Sequence, residues 1–170
     1  MNQLFRIVVF VAVLVAGTIS LKAADSSVKI QLDTNKSGPR AVESRTEQAI
    51  MRDYGTAWTM MARALEFNTI EPLEGSFVGA ARTWLNDSVA GQQRAGLTSN
   101  YREQNHKLRV LFYAPEGDVI ELRDTADFQL QIMDGAKVIY SEHVVRHYTV
   151  LMTPGADRWI VRQLQAHPEF

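Results

Sequence analysis

The sequence predicts an α+β fold in which N-terminal helices pack on a curved antiparallel sheet. Three observations carry that expectation. Between Ser44 and Gly96 apolar residues recur every three to four positions, whereas from Leu108 onward the period becomes two. The pairs Asp134-Gly135 and Pro154-Gly155 then punctuate the alternating stretches, as tight turns between strands do. Helices followed by strands segregate into a helical layer on one face of a sheet.

The opening MNQLFRIVVFVAVLVAGTISLKAADSS combines Arg6, an uncharged run from Ile7 to Leu21 and small residues at Ala23 and Ala24. This is the order of parts in a secretory signal, so residues 1–24 are expected to be a signal peptide or, if uncleaved, a membrane anchor through residues 4–21. Export to the periplasm or beyond follows from either. Residues 25–41, DSSVKIQLDTNKSGPRA, are polar and lack sustained periodicity, which reads as a tether leading to a domain at 42–170.

In the first helix, expected at about 44–67, Ile50, Tyr54, Trp58, Met61 and Leu65 form one stripe and Arg45, Arg52, Thr59 and Arg63 the opposite face. Ser44 and Glu47 have the spacing of a capping box. A second helix carries Phe77, Ala81, Trp84, Leu85 and Val89 and closes near Gly96. The strands are LRVLFYA, DVIELRDTADFQLQIM, AKVIYSEHVVRHYTVLM and RWIVRQLQA, an antiparallel meander.

Composition removes several function classes. Eighteen basic against nineteen acidic residues leave a net charge of −1, which gives no field to attract nucleic acid. With no cysteine there is no disulfide, thiolate nucleophile or cysteine metal ligand. No phosphate-binding glycine loop, nucleophile elbow or His-Glu-x-x-His occurs, so no cofactor, metal site or catalytic residue is assigned.

The long first helix with Trp58, the second helix around FVGAARTWL, the long terminal hairpin and the final strand DRWIVRQLQ together resemble the nuclear transport factor 2-like, or cystatin-like cone, superfamily. The resemblance is one of pattern over about residues 42–167. It implies a cone-shaped roll, and the N-terminal segment makes the chain similar to exported or membrane-tethered members. Ketosteroid isomerase and scytalone dehydratase share that fold, so the resemblance alone leaves function open.

His143 and His147 invite a metal reading, yet residues four apart on a strand lie ~13 Å apart along its axis, too far to share one zinc. One exposed and one hydrogen-bonded histidine is the simpler expectation. Asp53 and Tyr54, adjacent on a helix, point about 100° apart and cannot serve one pocket. The pocket or interface candidates are Tyr54, Trp58, Trp84, Tyr140, His143, His147, Tyr148 and Trp159, chosen because aromatics combine apolar area with a polar handle. Trp159 is expected to close the fold against the first helix near Trp58.

The function expected is an exported envelope domain that binds a partner protein or a small apolar ligand without catalysis. The strand face bearing Tyr140, Glu142, Val144, Arg146 and Tyr148 is the expected association surface, compatible with a homodimer. The alternative is a small isomerase- or dehydratase-type enzyme moving a proton in an apolar cavity.

Overall fold

The computed structural model describes residues 28–168, so the apolar N-terminal run, with its cleavage or anchoring, lies outside the described residues. Along the chain come β1 (Lys29–Asp33), α1 (Ser44–Phe67), a 3-10 turn (Glu71–Leu73), α2 (Gly79–Ala95), β2 (Leu97–Tyr113), β3 (Ile120–Asp134), β4 (Lys137–Pro154) and β5 (Trp159–His167). The architecture is α+β, with both helices on a single sheet of order β1-β2-β3-β4-β5. Neighbours are antiparallel except β1, which runs parallel to β2, so the sheet is mixed rather than wholly antiparallel.

β1 corrects the expectation of a free tether. Lys29 to Asp33 pair with Asn105 to Arg109, and Ile30 and Leu32 pack against the core. Further on, the Tyr113 N–H donates to the Gly38 carbonyl at 2.8 Å and the Arg40 guanidinium lies 5.3 Å from the Tyr113 ring centroid. A five-residue strand with only two inward side chains between polar neighbours shows too little alternation to stand out in sequence.

Helix α1 buries Ile50, Tyr54, Trp58, Met61 and Leu65, as its apolar spacing requires, and leaves Arg45, Arg52 and Arg63 exposed. It ends at Asn68, which takes the left-handed conformation at φ 51° and uses its side-chain amide on the Leu97 carbonyl at 2.8 Å. Its start differs from the capping box. Glu43 occupies the N-cap without a side-chain cap, because its carboxylate is held by Arg40 at 2.6 Å and Thr46 at 3.5 Å. Helix α2 buries a narrow stripe, Ala81, Leu85 and Val89, and terminates at Gly96 with φ 68°.

Strand β2 begins at Leu97, not at Leu108. Its register shifts between Arg102 and Asn105, where Glu103 has φ 53°. At the hairpin tip Asp134 pairs with Lys137, leaving Gly135-Ala136 as a two-residue turn with φ 55° at Gly135.

The core lies between the helices and one face of the sheet, lined by Leu108, Val110, Leu122, Phe128, Val150 and Val161. Strand alternation divides β4 as expected, and the face reserved for association is part core and part surface. Val144 and Tyr148 are each 7% exposed because they lie in register with Phe128 and Asp124, which also face the helices. Tyr140, Glu142 and Arg146 of the same face are open to solvent.

Candidate functional site

The most chemically loaded place in the molecule is inside it. On β3 the inward positions run Ile120, Leu122, Asp124, Ala126, Phe128, so one carboxylate interrupts an apolar row. Asp124 Oδ2 accepts the Tyr54 hydroxyl at 2.8 Å, and Nδ1 of His106, on β2, lies 2.8 Å from the same oxygen. An ionised carboxylate oxygen can only accept, and opposite it Nδ1 is the imidazole nitrogen that carries the proton. The His106 and Asp124 side chains are 0% exposed.

Aromatic rings close this group off. The Trp58 ring lies 4.3 Å from His106 between centroids and also meets Tyr148 at 5.6 Å and Phe128 at 6.1 Å. Tyr101 adds a further ring against Phe128 at 5.0 Å. Burial is the first cause, and the nearby Asp124 charge the second, that pushes the Tyr54 hydroxyl well above its ordinary pKa. Tyr148 is likewise pushed up, mainly by burial. Both phenols are thus held neutral. Asp124 Oδ1 and His106 Nε2 are buried without a hydrogen-bond partner among the described residues.

The candidates chosen from sequence divide by location. Tyr54, Trp58, Tyr148 and Trp159 are buried, while Trp84 on α2 and Tyr140 at the hairpin end are 44% and 48% exposed. His143 and His147 both sit on the outer face of β4. His143 Nε2 contacts Asp127 at 2.7 Å, and half-buried His147 shares a 3.2 Å hydrogen bond with Thr125. Asp53 and Tyr54 do aim apart: Tyr54 reaches Asp124, whereas Asp53 Oδ2 accepts the Trp159 backbone N–H at 2.8 Å.

Trp159 departs from its expected neighbour. Its ring lies 6.3 Å from Tyr113, not against Trp58. Asp53 stands more than a helical turn before Trp58, and it is Asp53 that fixes the start of β5.

His106 and Asp124 were not singled out by the sequence. The bulge at Glu103 reverses the alternation, so the polar stretch 97–107 does not read as a strand. Asp124 left a legible signal, an acidic residue at an inward position of an apolar row.

The outer face of the sheet is polar. Two contiguous hollows of about 540 and 320 Å³ share Gln31, Lys107 and Thr125 and run across β1, β2 and β3. Lys29, Lys107, Arg109 and Arg123 bring four positive charges to this trough, against Asp33 and Asp127. Arg109 pairs with Asp33 at 3.5 Å.

No family model matches the chain, and no curated protein matches it. Among solved structures it is similar to the intermembrane space region of the chloroplast protein ARC6, with a TM-score of 0.59 and 16% identity over 75% of this chain and 98% of that one. At that identity the likeness is one of fold.

Proposed function

We propose that this chain is an exported, envelope-facing domain of the nuclear transport factor 2-like type that holds a partner protein on the outer face of its sheet and performs no catalysis. Burial carries the reading: the Tyr54–Asp124–His106 group has no exposed side chain, and the Trp58 ring lies against the His106 imidazole. The polar trough over β1–β3 is accessible, and its four cations and interspersed amide and hydroxyl groups suit acidic side chains and backbone carbonyls. Such a lining favours a protein over a small apolar ligand. Export is supported by Arg6 and the apolar run from Ile7 to Leu21, and the fold resembles a domain that works between two envelope membranes.

The test is site-directed cross-linking in the producing cell, with a photoreactive residue in place of Thr125 in the full chain. A discrete protein adduct that disappears in the Lys107→Glu, Arg109→Glu double variant is expected. If instead small apolar molecules raise the melting temperature while those charge reversals change nothing, the trough is not the binding site.

A second reading keeps the buried group as a proton-transfer site, because Asp124 Oδ1 and His106 Nε2 each retain unused hydrogen-bonding capacity. The two readings differ in solvent access. For a structural group the His106 Hδ1 resonance should be visible in water and exchange slowly in a nitrogen-15-labelled sample. Rapid exchange would favour the catalytic reading.

A further inference from the structure

Strand β5 covers only half of its neighbour. The last pair is His147 with His167, and the next residue is Pro168, which has no N–H to continue the ladder. Residues 137–146 of β4 are therefore hydrogen-bonded to β3 on one side, and among the described residues no strand pairs with their other side. An unpaired edge presents a row of backbone donors and acceptors to any strand that can match it. Residues 137–143 are all exposed, so neither helix stands over them. Val138, Ile139, Tyr140 and Val145 make up half of the large apolar residues exposed among the described residues, concentrating apolar surface on one short edge.

We propose that this edge pairs with the same edge of a second copy of the chain, antiparallel about a two-fold axis at Ser141, joining two five-stranded sheets into one. The occupant follows from self-complementarity. A two-fold axis normal to the sheet sets residues of the same face opposite each other, and β5 blocks any register that carries the second copy beyond residue 146.

Pairing length and charge together select among the registers that remain: centring on Tyr140 opposes Lys137 to Glu142 but leaves residues 143–146 of the edge unpaired. Ile139 is the extra residue of the bulge opposite Ile132 and Met133, so Lys137 shares the face of Tyr140 and Glu142. Centring on Glu142 would set that carboxylate against its mate and Lys137 against Arg146, both repulsive. Centring on Ser141 sets Tyr140 against Glu142 twice over and Lys137 against Val144, with no like charges opposed. Tyr140 already donates its hydroxyl to Glu142 within one chain, so the hydroxyl–carboxylate match is available across the axis too. In such a dimer both polar troughs face the same side, giving two binding sites on one surface that run in opposite directions.

The absence of cysteine from the sequence makes a clean test. Residues directly opposite in an antiparallel pair have Cα atoms ~4.5 to 5.5 Å apart, within the ~4.4 to 6.8 Å that a disulfide spans. The full chain carrying Ser141→Cys should form a disulfide-linked dimer under mild oxidation. Its yield should exceed, by on the order of tenfold, that of Arg45→Cys on the exposed face of α1, because pairing raises the local thiol concentration. The double variant Val138→Lys, Tyr140→Lys alters only exposed side chains. Placed in the Ser141→Cys background, it should reduce cross-linking to the control level while leaving the circular dichroism spectrum of the folded chain unchanged. Cross-linking of Ser141→Cys no faster than Arg45→Cys, or a cross-link that survives both lysines, overturns the proposal. Neither result bears on the Thr125 adduct, so the trough reading stands or falls separately.

Discussion

Asp124 is the residue on which most depends. It satisfies two buried donors at once, so Asp124→Ala leaves the Tyr54 hydroxyl and the His106 Nδ1 proton without an acceptor in a site closed to solvent. Breaking a buried pair of this kind costs about 3 to 5 kcal/mol. A large fall in melting temperature is expected. Tyr54→Phe removes one hydrogen bond and leaves the ring, so its loss should be nearer ~1 to 3 kcal/mol. The same tyrosine links stability to alkaline pH. A phenol whose folded pKa is raised gives stability that is complete below the unfolded value near 10 and is lost as pH rises toward the folded one. Melts between pH 9 and pH 12 should decline steeply for the parent protein and less steeply for Tyr54→Phe; equal slopes would show that Tyr54 titrates alike in the folded and unfolded chains. Tryptophans differ in the same way by location. Trp159→Ala should cost roughly 3 to 5 kcal/mol, since the ring is 8% exposed and its backbone is fixed by Asp53, whereas Trp84→Ala, 44% exposed, should melt within about 0.5 kcal/mol of the parent.

Among the elements, the ones longest and most regular in sequence were the most legible. Helix α1 was readable to its ends because one stripe of large residues runs unbroken from Ile50 to Leu65. The first half of β2 was not, for two physical reasons. Its inward positions include the polar residues Ser99, Gln104 and His106, and its bulge shifts the parity midway. Helix α2 offers a test at Gly91 within it and Gly96 at its C-terminal cap. Gly91 is helical, and a methyl there would meet nothing closer than Arg94 at 3.9 Å, so Gly91→Ala should stabilise by about 0.5 to 1 kcal/mol through the entropy of the unfolded chain. Gly96 sits at φ 68°, where any Cβ is strained, and Gly96→Ala should destabilise by roughly 1 to 2 kcal/mol. Urea titrations of the two variants should move their midpoints in opposite directions.

For the whole molecule, the division into helical layer and sheet was evident in the change of period near residue 100, while the place where the domain begins was not. β1 enters the sheet before α1, so the folded unit starts some fifteen residues ahead of the first helix. A chain beginning at Val28 should melt like a longer one. One beginning at Asn35 loses the half-buried Ile30 and Leu32 and should be less stable by ~2 to 3 kcal/mol; equal melting temperatures would mean that β1 adds no stability. The candidate site was only half visible at this scale, because its members come from α1, β2 and β3 and meet only when the sheet curves over the helix.

That early strand also sets a leash. Between Leu21, where the apolar run ends, and Lys29, where β1 begins, stand residues 22–28, and seven residues fully extended reach at most about 25 Å. A chain that keeps its N-terminal run in a bilayer would hold the β1 edge of its sheet, and the Lys29 and Lys107 trough beside it, within that distance of the lipid surface. Such a domain cannot survey the compartment beyond. Its partner would have to come to the membrane, and the same four cations that suit acidic side chains would lie within reach of acidic head groups.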